Sequence, residues 1–133
     1  MKIFIDSDAY IGIYSFSDAH NSKTSFLIEK IKNVGYELVT SWDVVDEVTT
    51  KLSYHLNKTV ANKFLQDRLI SDEKIIFLTK NMTKKIEKLF LKQVSKNVSL
   101  TDCANMAIAN SLGITTFFSF DKHYEKNGFK LLK

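Results

Sequence analysis

Short apolar runs that alternate with helix-length segments constrain the fold of this chain more than any other feature. Ile3-Phe4-Ile5 is continuously apolar, as expected for a strand buried on both faces of a sheet. Further strands are predicted at residues 36–39, 75–78, 114–118 and 129–132. Because helical segments separate the strands, parallel pairing is favoured. We therefore predict an α/β fold, with one three-layer domain over residues 1–133 and a central, mostly parallel sheet of about five strands flanked by helices.

The segments between these runs carry apolar residues at helical spacing. Helices are predicted over residues 25–34, 58–69 and 83–96, and Gly35 provides a C-terminal stop for the first of them. Thr40-Ser41 is suited to cap a further helix. Ser99-Leu100-Thr101-Asp102 has the form of a capping box and opens a helix that ends near Leu112-Gly113.

Composition excludes several classes of protein. A single cysteine, Cys103, rules out an intramolecular disulfide framework, and its apolar neighbours favour a packing role. No segment reaches the roughly 20 apolar residues of a membrane helix, so a soluble, cytoplasmic protein is expected. The net charge of +4, from 19 Lys and Arg against 15 Asp and Glu, is compatible with a polyanionic partner but does not require one.

Two acids directly follow predicted strands. Asp6 comes after Ile3-Phe4-Ile5, and Asp121 comes after residues 116–120. Ligands of open parallel sheets bind at the carboxyl ends of the strands, although either acid alone would fit a helix N-cap equally well. The matching placement of the two acids favours a shared acidic site.

Two further acids lie on predicted helices that begin near the same edge. Asp102 would be in the first turn of its helix, where the helix dipole favours a carboxylate, and a capping role is compatible with metal binding. Glu47 lies at the border of an apolar helical stripe, and this pattern alone favours a structural or solvent-exposed role for it.

Crowded carboxylates stay ionised only when a cation neutralises them. Magnesium and manganese, which prefer oxygen ligands, are the expected ions. Such ions hold a phosphodiester, activate water and stabilise the leaving oxygen, so that no nucleophilic side chain is required.

The chain resembles the PIN-domain nucleases, and among them the VapC-like toxins of toxin–antitoxin pairs. The resemblance rests on motifs in this order: Phe4-Ile5-Asp6-Ser7-Asp8-Ala9, Val39-Thr40-Ser41, Val45-Asp46-Glu47-Val48, Ser99-Leu100-Thr101-Asp102-Cys103, Phe118-Ser119-Phe120-Asp121-Lys122-His123-Tyr124 and Gly128-Phe129. It implies that the acidic, metal-binding and catalytic cluster is Asp6, Glu47, Asp102 and Asp121, and it reverses the interpretation of Glu47 from pattern alone.

The resemblance also implies a PIN-like fold, a Mg²⁺- or Mn²⁺-dependent ribonuclease, an RNA substrate, a homodimer and a cognate antitoxin. Ser7, Thr101 and Ser119 adjoin the acids and are candidates for supporting hydrogen bonds. Asp8 departs from the small polar residue expected there, and a helix-cap role is predicted for it over an extra metal ligand.

The basic residues are weaker signals. Lys84, Lys88, Lys92 and Lys96 form a stripe at helical spacing, which is more typical of a solvated helix face than of an RNA track. Lys122 and His123 adjoin Asp121 and are candidates for phosphate contact, although a surface role is favoured.

Two other functions fit parts of the sequence. Asp6-Ser7-Asp8 imitates the opening motif of haloacid-dehalogenase-type phosphatases, which would make Asp6 a nucleophile, but Lys122 follows Asp121 where a second acid is expected. A non-catalytic domain that binds RNA or a protein partner is the other alternative, and the presence of all four acids argues against it.

Overall fold

A computed structural model describes all 133 residues, which form five strands and seven α-helices. The strands are β1 (Lys2–Ile5), β2 (Glu37–Ser41), β3 (Lys74–Ile76), β4 (Thr116–Phe118) and β5 (Lys130–Leu131). The helices are α1 (Ser7–Tyr14), α2 (Asn21–Val34), α3 (Trp42–His55), α4 (Lys58–Ile70), α5 (Thr83–Lys92), α6 (Leu100–Ser111) and α7 (His123–Lys126). None of them combines the length and apolarity that a helix needs to cross a bilayer.

The sheet has the order β3-β2-β1-β4-β5, and every neighbouring pair is parallel. This confirms the predicted α/β architecture and sharpens "mostly parallel" to entirely parallel. The first strand lies at the centre, paired with β2 on one side and β4 on the other. Because the strands run the same way, their carboxyl ends share one edge of the sheet, and the residues that follow them are brought together there.

The core is built on the two central strands. Ile3, Phe4 and Ile5 are fully buried, and the ring of Phe4 lies 5.0 Å from that of Phe117 on β4. Residues 103–109 of α6 are all buried, which is consistent with the packing role predicted for Cys103. The carboxyl edge of the sheet, where Asp6 follows β1, is therefore built from tightly packed elements.

Helices α1 and α7 were not predicted, and one predicted helix is shorter in the structure. The helix predicted over residues 83–96 ends at Lys92, so Lys96 does not continue the lysine stripe. Gln93 leaves the helix with extended backbone, and its side chain bonds to Asn127 near α7. Strand and helix ends otherwise differ from the predicted limits by a few residues, as is usual for helix and strand ends.

The first helix approaches α2 closely at Gly12. A methyl group on this residue would lie 2.5 Å from Thr24 Cγ2, well inside van der Waals contact, and Thr24 is itself fully buried. Glycine therefore sets the distance between α2 and the helix that begins directly after Asp6.

Gly12→Ala is expected to lower the free energy of unfolding by about 1–3 kcal/mol, because the added methyl group overpacks this contact. Urea denaturation measures the change. Thr24→Ser removes the opposing methyl group. Gly12→Ala should therefore cost less stability when it is made in the Thr24→Ser chain than when it is made in the natural chain. A Gly12→Ala chain as stable as the natural one would contradict the account.

Candidate active site

Asp6 is the centre of the acidic edge, with only 2% of its surface exposed. It is the N-cap of α1, and its Oδ1 accepts hydrogen bonds from the backbone N–H of Ser7 (2.7 Å) and from Asn105 Nδ2 (3.3 Å). Its Oδ2 accepts from the hydroxyl groups of Tyr124 (2.7 Å) and Ser119 (3.4 Å). Donors from four separate segments of the chain therefore fix this carboxylate.

The Tyr124 hydroxyl group connects Asp6 to Asp102. Its oxygen lies 2.7 Å from Asp6 Oδ2 and 3.4 Å from Asp102 Oδ1. Asp102 completes the predicted capping box, with its Oδ2 accepting from the backbone N–H of Ser99 at 2.9 Å. The Nε2 atom of His123 lies 3.5 Å from the same Oδ2. Two carboxylates far apart in sequence thus share one hydroxyl group.

The helix-cap role predicted for Asp8 is wrong, because Asp6 caps α1. The Oδ2 atom of Asp8 instead accepts from the backbone N–H of Phe120 (2.7 Å) and the hydroxyl group of Ser119 (3.1 Å), which hold the segment after β4. Its Oδ1 is buried and has no hydrogen-bond partner. Asp8 therefore adds a partly unsatisfied carboxylate beside Asp6.

These carboxyl groups are electrostatically linked. Burial raises the pKa of Asp6 well above its ordinary value, the charges of Asp8 and Asp102 raise it further, and hydrogen bonds from Tyr124 and Ser7 oppose the rise. Burial also raises the pKa of Asp8, with the charge of Asp121 adding to the effect. Negative charge at this edge is thus unfavourable without a compensating cation.

The side chains of Asp121 and Glu47 make no hydrogen bond or ion pair with Asp6 or Asp102. Asp121 is exposed, and its backbone N–H donates to the Ser119 hydroxyl group at 3.2 Å. Glu47 is paired with Lys51 at 2.9 Å and makes no hydrogen bond or ion pair with the other three predicted acids. It lies six residues beyond Ser41, the N-cap of α3, which corresponds to about 9 Å along the helix.

Asn105 was missed by the sequence analysis. Its side chain is fully buried, accepts from the hydroxyl group of Ser41 at 2.9 Å and donates to Asp6, so it joins the start of α3 to the central carboxylate. The available signal was a polar residue one turn after Asp102, within a run (residues 103–109) that is otherwise apolar.

Of the three predicted supporting residues, Ser119 bonds both Asp6 and Asp8 through its hydroxyl group. Ser7 contributes its backbone N–H, and the Thr101 hydroxyl group makes no hydrogen bond.

The donor chemistry fits a hard divalent cation. The edge offers carboxylate oxygens, two of its carboxyl groups have raised pKa values, and one buried carboxylate oxygen lacks a partner. No three Asp, Glu, His or Cys side chains are close enough to surround one ion in the arrangement described here. A bound ion would therefore require side chains at this edge to rotate toward it.

Comparison with known proteins adds the family and the fold. The family model for the PIN domain matches residues 3–130. The toxin VapC20 of Mycobacterium tuberculosis, which cleaves the sarcin–ricin loop, superposes with a TM-score of 0.87 at 19% identity, covering 96% of this chain and 95% of that one. The VapBC2 complex of Rickettsia felis, solved on a DNA fragment from its promoter, matches with a TM-score of 0.71 at 14% identity over 98% and 97% of the two chains. No curated protein sequence matches this chain.

Asp6→Asn is expected to raise the free energy of unfolding of the metal-free protein near neutral pH by about 0.5–2 kcal/mol. The native state holds the Asp6 proton more tightly than the unfolded state, so wild-type stability falls as pH rises between the two pKa values. The amide keeps both donors to Oδ1, and the hydroxyl groups at Oδ2 can turn to accept. Urea titrations across pH measure the gain, which should vanish in acid.

The matched control is Asp72→Asn, which neutralises an exposed carboxylate away from this edge and should leave stability nearly unchanged. An Asp6→Asn protein less stable than the wild type at neutral pH would contradict the assigned cost of the buried charge.

Proposed function

This chain belongs to the PIN domain family, and on that premise we propose that it is a Mg²⁺- or Mn²⁺-dependent ribonuclease and the toxin of a toxin–antitoxin pair. The observation that carries the proposal is the pair of carboxylates, Asp6 and Asp102, that share the Tyr124 hydroxyl group at the carboxyl edge of the sheet. Such a pair is unfavourable alone and becomes favourable around a divalent ion.

Asp6 and Asp102 are the residues proposed to hold the ion, with Asp121 and Glu47 at its margin. When bound, the ion supplies an activated water and charge stabilisation at the phosphodiester. Glu47 is available because its surface pair with Lys51 is of a kind that contributes about 0–1 kcal/mol and is easily broken. The exposed carboxylate of Asp121 is free to orient water or accept its proton.

Other side chains keep the two central carboxylates in place. Asn105 and Ser119 hold opposite oxygens of Asp6, and Tyr124 sets the separation of Asp6 from Asp102. The N-termini of α1 and α6 both lie at this edge, and their dipoles stabilise negative charge there. The site is therefore held by packed helices rather than by a flexible loop.

RNA as substrate, and an antitoxin as partner, rest on the relatives. VapC20 cleaves an RNA loop, and VapBC2 is a toxin–antitoxin complex. The homodimer is proposed on the resemblance to the PIN-domain toxins alone. Exposed apolar side chains, among them Phe16 (92% exposed), Ile70 (83%) and Leu91 (82%), offer surface for one or both protein contacts.

The phosphatase alternative is not supported. Lys122 follows Asp121 where a phosphatase of this type would carry a second acid. The PIN domain match across nearly the whole chain also assigns it to a different family. A non-catalytic binding domain is the alternative that the following experiment separates.

The purified protein is expected to cleave single-stranded or loop RNA with Mn²⁺ or Mg²⁺ present, and EDTA should abolish the cleavage. Asp6→Asn should lower the rate by about 100-fold or more, since even supporting residues around metal ligands cost 10–100-fold. Gel analysis of an RNA stem-loop measures this, with para-nitrophenyl phosphate as the phosphatase substrate that should remain intact.

The matched control is Asp72→Asn, which removes an exposed carboxylate from the segment before β3, at the opposite edge of the sheet. It should cleave as the wild type does. Equal cleavage by wild type and Asp6→Asn, or RNA binding without any cleavage, would overturn the ribonuclease proposal.

A further inference from the structure

We propose that a hollow beside the acidic pair binds the RNA phosphate next to the one that is cleaved, an inference that rests on the proposed ribonuclease function. The hollow has a volume of about 630 Å³ and lies between the end of α5, residues 93–98 and α7. The residues that matter are Lys92, Gln93, Val98, His123, Lys126 and Asn127, and together they are called the basic hollow.

The charges of the basic hollow suit a phosphate. Lys92 and Lys126 line it, neither of them belongs to an ion pair, and no acidic side chain contributes to the lining. Two lysines without a carboxylate partner beside one concave surface favour a polyanion.

The walls of the basic hollow are braced by a pair of amides. Gln93 Nε2 donates to Asn127 Oδ1 at 2.9 Å, and Asn127 Nδ2 donates back to Gln93 Oε1 at 3.1 Å. The remaining amide protons bond the backbone oxygens of Leu89 and His123. Because every amide N–H is used, these side chains fix the shape of the hollow and leave phosphate binding to the lysines.

The basic hollow adjoins the acidic pair through His123. His123 lines the hollow, and its buried Nε2 atom lies 3.5 Å from Asp102 Oδ2. Val98 on another wall directly precedes Ser99, the N-cap of the helix that carries Asp102. His123 is thus common to the basic hollow and the acidic pair, and in the proposed arrangement the RNA strand runs past it from the carboxylates to the lysines.

The kind of contact predicts how binding responds to sequence. Lysine ammonium groups act as point charges and lack the paired donors that arginine presents to a base edge. The basic hollow should therefore strengthen binding of any single-stranded RNA and fix its position without selecting a sequence.

The experiment measures binding of a fluorescent single-stranded RNA dodecamer, with EDTA present, to chains that carry Asp6→Asn to prevent cleavage. Against that background, Lys92→Ala with Lys126→Ala removes the two ammonium groups. The control pair is Lys2→Ala with Lys130→Ala, which removes the same charge at the amino ends of β1 and β5. All four lysines are exposed, and circular dichroism melts check that each chain folds.

The Lys92→Ala, Lys126→Ala chain should bind RNA about 5–10-fold more weakly, and the slope of log K against log salt should fall by about 0.7, the value for one lost single-strand phosphate contact. The control pair should change the affinity by less than about 2-fold, as expected for a long-range charge effect that salt screens. Equal losses in both pairs, or no loss in the hollow pair, would overturn the inference. The inference would also be overturned if the Lys92→Ala, Lys126→Ala chain bound poly-glutamate more weakly but bound RNA as tightly as its parent.

The same RNA is offered to the wild-type chain with Mn²⁺. Absence of cleavage there counts against the ribonuclease proposal alone, since the binding comparison does not depend on cleavage. Cleavage by the wild type together with unchanged binding by the hollow pair counts against the basic hollow alone.

Discussion

Burial of the Asp6 carboxylate at the end of the central strand is the constraint on which the rest of this structure depends. A carboxylate that is 2% exposed needs donors, and here they come from α1, α6, the segment after β4 and α7. Each of these bonds ties a different element to the same point of the sheet. The arrangement still leaves the pKa of Asp6 raised, so it holds the carboxylate in place without fully stabilising its charge.

The parallel sheet determines which residues meet there. Strand β1 lies between β2 and β4, and the ends of these three strands supply the site. Asp6 follows β1, and Ser119 follows β4 and bonds to it. Ser41, at the end of β2, acts through Asn105. Helix N-termini at the same edge favour anions, and so do the lysines of the neighbouring basic hollow. A phosphate backbone held by a metal ion on one side and by lysines on the other is compatible with both features.

Sequence reasoning predicted the parts of the fold that local chemistry determines. The buried run at Ile3-Phe4-Ile5, the N-cap at Ser41, the capping box at Ser99 and Asp102, and the stop at Gly35 all appear in the structure. Helix α1 was missed because its residues pack against both α2 and α3, so it shows no single apolar stripe. Helix α7 is too short, at four residues, to show a period.

The placement of the site was less predictable. Motif and strand position predicted Asp102 and Asp121, and the resemblance supplied Glu47. The catalytic and metal-binding roles of all four acids remain predictions. The contacts of Asp6 with Asn105 and Tyr124 span 99 and 118 residues, and no local pattern encodes such contacts. The prediction for Asp8 was wrong because its partners, Ser119 and Phe120, follow the neighbouring strand β4 and are not part of its own helix.

The most direct test of the account is a crystal of this chain soaked in Mn²⁺ and measured at a wavelength where manganese scatters anomalously. The account predicts one or two anomalous peaks bounded by Asp6, Asp102 and Asp121, with Glu47 within reach through a bound water. Manganese bound only elsewhere, or no anomalous peak at this edge at saturating Mn²⁺, would contradict it.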